Sequence, residues 1–522
     1  GKLLCFEQSV TFCNPVNVVQ NVFKNRHGGT ETYSPERLSR LFDDGYRIDA
    51  QMFMNFVPNS CHQEKALEFI NRYTGERLSM EGDGFPLVSI MILNYSRLND
   101  IKMCLDSIKR NTPERHEIIV VDNGSNDGSI EYLRTVPEIV LVENKENIGC
   151  PPARAQMMSL ARGDYVVFLD NDTIVSKGWI AKFISHMRNN PQIGILGPRS
   201  NYVSGPQIVK DVSYKNVGEF EAFADRFSEE HKGQLTPTNR LIGFCMFIDR
   251  GVIEKIGSID ASFGKFGFED DDYTWRAYVA GFRPAIAHDV FIHHTGGPQG
   301  SGNKEYNILL LNAWDIFKKK WDLPEHLKYG EYFDFNKIVS RGFDKKRHYI
   351  ELSDPESVMN LVYNKKNQIP IMVEYYYKQA IKMKENDDID NALDKLELVS
   401  RIDPLYAETY NDMGVLYYIK WDKDKAIDLL KKAIELDPKK TDALKNIADI
   451  MLESGNIEEA IKYYGIVLEE ERDDIDTLLI MGSLCLQNGQ LDDALMFIER
   501  VLVVDPDNAS AKEIMQKIKH IS

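Results

Sequence analysis

The spacing of hydrophobic positions changes along this chain, and each change marks a different kind of structure. From residue 86 onward, short apolar runs alternate with stretches in which apolar positions recur at helical spacing. This alternation predicts βαβ units and therefore a mainly parallel, doubly wound, Rossmann-like α/β sheet. We predict strands at 87–93, 117–122, 139–143 and 165–170, and helices at 99–110, 128–134 and 151–161.

Residues 1–85 are mixed and polar, and we treat them as an N-terminal extension. A helix is predicted after Ser34, because serine as N-cap with Pro35 at the first helical position signals a helix start. A second helix is predicted around 63–72. No chemistry is assigned to this extension.

The C-terminal part of the chain, residues 371–522, repeats itself with a period of 34 residues. Small residues and prolines return at that spacing, which resembles the tetratricopeptide repeat. We place four units between about 371 and 506, a closing helix at 509–519, and a helical connection at 326–370. Such repeats stack into a solenoid with a groove that binds peptides or proteins. The columns are Ala392, Ala426, Ala460 and Ala494; Ala380, Gly414, Ala448 and Gly482; and Pro404, Pro438 and Pro506, with Arg472 in the remaining place.

Composition narrows the classes of protein that remain. The chain has 522 residues, enough for two or three domains, and 43% apolar residues, enough for proper cores. Its net charge of −17 argues against nucleic acid or an anionic membrane as the main partner. No apolar run approaches the roughly 20 residues that span a bilayer. The start at Gly1, without a methionine or a signal-like segment, suggests a truncated product.

The cysteines predict the compartment. The chain has 7 scattered cysteines and no CxxC pair, so neither a disulfide framework nor a zinc site is indicated. A reducing, cytoplasmic location fits that usage.

The first chemical signal is Asp170-Asn171-Asp172, which ends a strand predicted to be buried on both faces. Open α/β sheets bind ligands at the carboxyl ends of their strands. Two carboxylates one residue apart can hold a hard divalent cation and share it with the phosphates of a nucleotide. The alternative is an ordinary strand end with solvated aspartates.

Other strand ends add groups suited to a nucleotide sugar. An aromatic side chain at a strand end can stack on a base, although it is as often packing. An aspartate there can accept a hydrogen bond from a nucleobase or ribose. A loop followed by an arginine can pair with a diphosphate, unless that arginine is a surface residue. These candidates are Asn94, Tyr95, Asp122, Asn147, Gly149 and Arg154, with Asp170 and Asn171 beside them.

A run of four acidic residues, 269–272, lies between aromatic residues. Acids complement the dipole of a helix N-terminus, and we assign that role to Asp271 and Asp272. Glu269 or Asp270 then faces the cleft, where a carboxylate can remove the proton of an attacking hydroxyl.

Two histidines, His293 and His294, end another apolar strand. A lone histidine is more often structural, but a pair at a strand end is a reasonable source of a third metal ligand beside Asp-X-Asp.

Together these motifs resemble the inverting family 2 glycosyltransferases with the GT-A fold, over a domain that we place at 86–325. The resemblance implies a nucleotide-diphosphate sugar donor, with Asp122 at the base and Asp170 near the ribose. It implies Asp172 and one histidine as ligands of Mn²⁺ or Mg²⁺, and Asp270 as catalytic base with Glu269 as the alternative. The matching segments are 88–95, 121–125, 147–149, 169–172, 243–246, 268–272 and 293–294; one departure is Pro151-Pro152.

We predict a protein acceptor and keep two alternatives. The combination with repeats resembles bacterial protein O-glycosyltransferases of the flagellin type, which implies a Ser or Thr acceptor held in the groove. Alternatively, the acceptor is a surface polysaccharide or glycan and the repeats serve as scaffold. The third hypothesis is an inactive nucleotide-binding interaction protein. UDP-N-acetylglucosamine is the default donor, and dTDP-rhamnose remains open.

Overall fold

The computed structural model describes residues 86–296 and 304–521. The two helices predicted within 1–85 lie outside the described residues. The chain divides between Tyr363 and Asn364 into two compact units, which we describe separately. None of the helices in the described ranges is both long and apolar enough to cross a membrane.

The described part of the first unit contains one mixed, mostly parallel sheet of nine strands. They are β1 (Val88–Asn94), β2 (His116–Asp122), β3 (Ile139–Glu143), β4 (Tyr165–Asp170), β5 (Thr173–Ile174), β6 (Ile195–Ser200), β7 (Leu235–Pro237), β8 (Cys245–Asp249) and β9 (Ala285–His294). Their order is β3-β2-β1-β4-β8-β6-β9-β5, and β7 also pairs with β9. The pairs among β1 to β4 are parallel, as is β6 with β9, whereas β8 runs antiparallel to both neighbours. The predicted α/β fold is confirmed.

Helices connect these strands within the first unit. They are α1 (Leu98–Asn111), α2 (Ser129–Leu133), α3 (Cys150–Leu160), α4 (Trp179–Asn189), α5 (Val217–Glu230), α6 (Arg250–Ile256), α7 (Glu269–Val279), α8 (Lys304–Lys320), α9 (Asn336–Val339), α10 (Lys345–His348) and α11 (Pro355–Met359). The strands and helices predicted between 87 and 170 lie within one residue of these bounds. The spacing of apolar residues explains how these helices pack. In α1, for example, Ile101, Leu105 and Ile108 recur on one face and enter the core formed by the strands.

The segment 326–363, part of the predicted connection, lies in the first unit. Its end continues the sheet beside β3. The Tyr363 N–H donates to the Leu141 carbonyl at 2.8 Å, and the Glu143 N–H donates to the Leu361 carbonyl at 3.0 Å. Upstream, Leu327 and Ile338 join an aromatic core that includes Phe268, the residue before α7. This packing fixes the start of α7.

The second unit consists, over residues 364–521, of nine helices in consecutive antiparallel pairs with a closing helix. They are α12 (Lys365–Glu385), α13 (Ile389–Ile402), α14 (Ala407–Ile419), α15 (Lys423–Leu436), α16 (Thr441–Glu453), α17 (Ile457–Glu470), α18 (Ile475–Gln487), α19 (Leu491–Val504) and α20 (Ala509–Ile521). The small-residue columns lie where helices meet: Ala426 and Ala460 are 0% exposed. A Cβ on Gly414 would lie 2.8 Å from Leu430 Cγ. The period therefore reflects the close approach of paired helices.

Candidate active site

Asp170, Asp172 and His294 form a cluster in which one ligand atom from each lies within 4.8 Å of the others. The fold brings them together because the chain turns after β4 into β5, whose Thr173 pairs with His294 of β9. His294 Nε2 is 3.1 Å from Asp172 Oδ1 and 4.0 Å from Asp170 Oδ2. Strand pairing thus places an imidazole opposite the Asp-X-Asp turn.

The tautomer of His294 suits a metal ligand. Its Nδ1 lies 2.8 Å from the carbonyl oxygen of Tyr202, which can only accept, so Nδ1 donates. In the neutral ring Nε2 then carries the lone pair and faces the carboxylates. A second hydrogen-bonding partner that orients the ring in this way is a common feature of metal-binding histidines.

His293 is not brought to this cluster, because successive side chains of a strand point to opposite faces. Its Nδ1 lies 2.7 Å from the hydroxyl of Tyr214, and its ring packs near Phe220. The structure therefore distinguishes the two histidines that the sequence left open.

Each charged group of the cluster shifts the pKa of its neighbours. Burial raises the pKa of Asp170, although Arg154 and His294 favour its ionised form. Burial also opposes ionisation of Asp172, but the hydrogen bond and charge of His294 and the charge of Arg97 outweigh it and lower the pKa of Asp172. Burial disfavours the charged form of His294, yet Asp172 raises its pKa above the usual range. Nearby cationic groups therefore offset the negative charge of the carboxylates in the site.

Arg154 is a buried residue of the cleft, not a surface residue of α3. Its guanidinium lies 3.4 Å from Asp170 Oδ1 and 3.3 Å from Glu269 Oε1, and it donates to the Gly243 carbonyl at 2.7 Å. Any Cβ at position 243 would lie 2.4 Å from Arg154 Nη1, which explains the glycine. Arg154 thus links the Asp-X-Asp turn to the acidic start of α7.

Glu269 and Asp270 differ in accessibility. Glu269 is 5% exposed, accepts from the Gly267 N–H at 2.7 Å and faces Arg154, while burial and then Asp270 raise its pKa. Asp270 is partly exposed, and Gly243 N–H donates to its Oδ2 at 2.8 Å. The more accessible carboxylate is the better placed to meet an acceptor.

The next two acids have structural partners. Asp271 lies 3.3 Å from Arg240, and burial followed by the charge of Asp270 raises the pKa of Asp271 to about 8. Asp272 is fully buried, 2.7 Å from Arg276 Nε and 3.1 Å from Trp321 Nε1. Both residues belong to the first turn of α7, where negative charge is favourable.

On the nucleotide side, Asn94, Asp122 and Asn171 form a buried network across three strand ends. Asn94 Nδ2 donates to Asp122 Oδ2 at 2.8 Å, and Asn171 Nδ2 donates to Asn94 Oδ1 at 2.7 Å. Ser125 donates its backbone N–H to Oδ1 and its hydroxyl to Oδ2 of Asp122, which is 0% exposed. Tyr95, by contrast, is 50% exposed at the rim. Asp122 thus connects the ends of β1 and β2 through three hydrogen bonds.

Asn147 and Gly149 order the loop that enters α3. Asn147 Oδ1 accepts from the Gly149 N–H at 2.9 Å. Gly149 has a φ of +101°, and a Cβ there would lie 2.4 Å from the Gly264 carbonyl oxygen. The glycine therefore permits a close backbone approach beside Arg154.

Arg97 is a site residue that reasoning from the sequence missed. Its Nη1 lies 2.7 Å from Asp172 Oδ2 and its Nε 2.7 Å from Asp100 Oδ2. A cation four residues after a predicted strand has the pattern of an ordinary loop residue. The only signal available in the sequence was that Arg97 closely follows the end of β1, one of the strand ends that carry candidate site residues.

Comparison with known proteins agrees with this architecture. Residues 89–257 match the family described as glycosyl transferase family 2, and residues 422–476 and 451–518 match the tetratricopeptide repeat. The chain therefore carries a family 2 glycosyltransferase domain followed by tetratricopeptide repeats. By its first unit the protein is a glycosyltransferase, and the resemblance drawn from its motifs is confirmed.

Three relatives illustrate the similarity. Glycosyltransferase AglE of Haloferax volcanii is 27% identical, over 41% of this chain and 69% of its own length. The uncharacterized glycosyltransferase YfnE of Bacillus subtilis is 30% identical, over 28% of this chain and 34% of its own. Polypeptide N-acetylgalactosaminyltransferase 11 of Xenopus tropicalis is 24% identical, over 45% of this chain and 44% of its own. The chain thus spans less than half the length of the latter two.

Proposed function

We propose that this protein is a metal-dependent, inverting glycosyltransferase that moves a sugar from a nucleotide-diphosphate donor to a Ser or Thr hydroxyl of a protein acceptor. The observation that carries the proposal is the cluster of Asp170, Asp172 and His294, connected through Arg154 to the acidic start of α7. Metal ligands and a proton acceptor in one cleft are the two requirements of such a transfer.

The residues of the cluster fit a divalent cation. Two carboxylates and an imidazole with its lone pair directed inward suit Mn²⁺, and the carboxylates also suit Mg²⁺. Held by Asp172 and His294 with Asp170 beside them, the cation would offset the negative charge of the departing diphosphate.

The chain's own groups account for the other steps. Asp270 accepts the proton of the acceptor hydroxyl as that oxygen attacks the anomeric carbon from the face opposite the diphosphate. The configuration inverts in a single displacement, so no nucleophilic side chain is needed. Glu269 holds Arg154 in place, and Tyr95 stacks on the base above the network of Asn94, Asp122 and Asn171.

The repeats and one relative support a protein acceptor. Tetratricopeptide repeats bind peptides or proteins, and a relative carries the name polypeptide N-acetylgalactosaminyltransferase. Flagellin or another surface protein is our candidate acceptor, and UDP-N-acetylglucosamine our first donor. We place the reaction in the cytoplasm, consistent with the free thiols of Cys104, Cys150, Cys245 and Cys485.

Intact mass spectrometry tests the proposal. The full chain is incubated with UDP-, GDP- and dTDP-sugars, Mn²⁺ or Mg²⁺, and candidate proteins, and we expect the acceptor to gain the mass of one sugar residue. EDTA should abolish the gain. Transfer to free glycans but to no protein would favour the glycan alternative. Neither transfer nor donor hydrolysis with any donor would favour the inactive interaction protein.

A further inference from the structure

Arg97 occupies a defined position at the metal cluster. Beyond its contacts with Asp172 and Asp100, its Nη2 donates to the Gly296 carbonyl at 3.2 Å. Three nitrogens of one guanidinium therefore have partners on three different segments. These contacts give the partly buried guanidinium of Arg97 a specific place in the site.

The turn that presents Arg97 is strained. Ser96, the preceding residue, has a φ of +50°, which non-glycine residues rarely adopt. The Ser96 N–H donates to Ser125 Oγ at 2.8 Å, and the Leu98 N–H donates to Asp127 Oδ2 at 2.8 Å. Strained conformations of this kind persist only where surrounding contacts enforce them, and they concentrate at functional sites.

Arg97 blocks part of the cation site. His294 faces Asp172 Oδ1 at 3.1 Å, and Arg97 contacts Asp172 Oδ2 at 2.7 Å. Both oxygens of this carboxylate therefore have cationic or hydrogen-bonding partners. A divalent ion entering alone would have to share Asp172 with a fixed positive charge, which opposes its binding.

Building on the proposed function, we propose that Arg97 competes with the cation for Asp172 and binds the donor's diphosphate when metal and nucleotide bind together. The planar guanidinium matches a phosphate with two parallel hydrogen bonds. Arg97 then acts as a donor-binding residue that also makes metal binding depend on the nucleotide.

The test measures binding by the full chain with two probes, MnCl₂ alone and UDP or GDP with MnCl₂. With MnCl₂ alone, Arg97→Gln should bind Mn²⁺ about tenfold more tightly than the wild type, because the repulsion between the guanidinium and the cation is gone. With nucleotide present, the same variant should bind the nucleotide about 10- to 100-fold more weakly, as expected for loss of a charged hydrogen bond. A purely structural role would not move these two affinities in opposite directions.

Two variants serve as controls. Arg110→Gln removes an arginine of α1 whose Nη1 contacts Glu221 on the surface at 2.8 Å, and it should change neither affinity. Arg97→Lys keeps the charge without the planar fork, so it should retain weak binding of Mn²⁺ alone and recover nucleotide affinity only in part. Circular dichroism and thermal unfolding of all variants establish that they are folded.

The contrary outcomes separate the two proposals. If Arg97→Gln binds Mn²⁺ alone no more tightly than the wild type, or binds nucleotide as well as it does, the role of Arg97 is overturned while the proposed function stands. If the wild-type chain binds neither Mn²⁺ nor any nucleotide, the proposed function fails and this inference fails with it.

Discussion

The two units use their interiors differently. In the first, charged side chains from distant segments meet inside the protein: Arg154 joins Asp170 to Glu269, and Arg276 with Asp272 is fully buried. In the described repeats, the crossing points are small and apolar, and many ion pairs join exposed groups, such as Lys420 with Asp390. Buried charges destabilise a fold unless they are paired, so the pairs that join distant segments, such as Arg154 with Asp170 and Glu269, indicate where we propose the chemistry takes place.

The strongest test of this difference between the units is to remove one accessible charge from the first unit, where we expect the largest effect. Asp270→Asn should lower transfer by roughly 10²–10⁴-fold, the usual effect of losing a general base. Nucleotide affinity should stay near wild type, because Asp270 contacts the Gly243 N–H rather than the metal cluster. The measurements are turnover by intact mass and nucleotide affinity by calorimetry.

Glu269→Gln supplies the comparison for Asp270. It removes the charge that faces Arg154, so we expect weaker donor binding as well as slower transfer. An active Asp270→Asn beside an inactive Glu269→Gln would show that Glu269 is the base.

The second prediction concerns the metal and uses adjacent histidines as a matched pair. Asp172→Asn and His294→Asn should each weaken Mn²⁺-dependent donor binding by more than about a hundredfold. Loss of a residue that only hydrogen-bonds to a metal ligand costs up to about a hundredfold, and loss of the ligand itself should cost more. His293→Asn should retain Mn²⁺-dependent donor binding, because His293 contacts Tyr214 and not the metal cluster. Activity that survives Asp172→Asn, or excess EDTA, would contradict the assignment.

These histidines show what sequence could predict and what it could not. Element order and bounds follow from local periodicity, and the repeat follows from columns such as Ala426 and Ala460, each fully buried. Which histidine meets Asp172 depends on the register between β5 and β9, in which His294 lies opposite Thr173, and neighbouring residues alone do not determine this register.

Long-range contacts limited the prediction of the site in the same way. Sequence left Arg154 open between the cleft and the surface, because its partners Asp170 and Glu269 lie far along the chain. It missed Arg97, whose contact with Asp172 requires a strained turn. Asp122 is predicted to meet the base, and sequence did not indicate that its carboxylate also accepts hydrogen bonds from Asn94 and Ser125.

A third prediction separates the units physically. A chain ending at Lys365 should fold, because the compact division lies at Tyr363 and repeat units contact mainly their neighbours. Donor hydrolysis should persist, since every proposed catalytic residue precedes Thr295. Transfer to the protein acceptor at low concentration should fall about a hundredfold, because binding through a second site is lost.

A free sugar acceptor is the control for that truncation. If the glycan alternative holds, the shortened chain glycosylates this acceptor at a near-normal rate. If it modifies the protein acceptor as fast as the full chain at low concentration, the repeats do not capture the acceptor.

The smallest expected effect lies in the packing of the repeats, and it should leave the first unit untouched. In Gly414→Ala the new Cβ would lie 2.8 Å from Leu430 Cγ and 3.2 Å from the Ala426 carbonyl oxygen. Overpacking of this kind costs about 1–3 kcal/mol, which exceeds the helix-propensity gain of roughly 0.5–1 kcal/mol. Denaturant unfolding followed by helical circular dichroism should show the loss, while donor hydrolysis stays unchanged.

Gly465→Ala is the matched substitution, because it is also a helical glycine of the repeats. No atom lies within 4 Å of the position that the new Cβ would take, so only the propensity term remains. We expect a gain of about 0.5–1 kcal/mol in the free energy of unfolding. If the free energy of unfolding falls in Gly414→Ala and rises in Gly465→Ala, the small-residue column is explained by contact between helices and not by composition. Equal signs, or a change in donor hydrolysis with either variant, would contradict the separation of packing in the repeats from chemistry in the first unit.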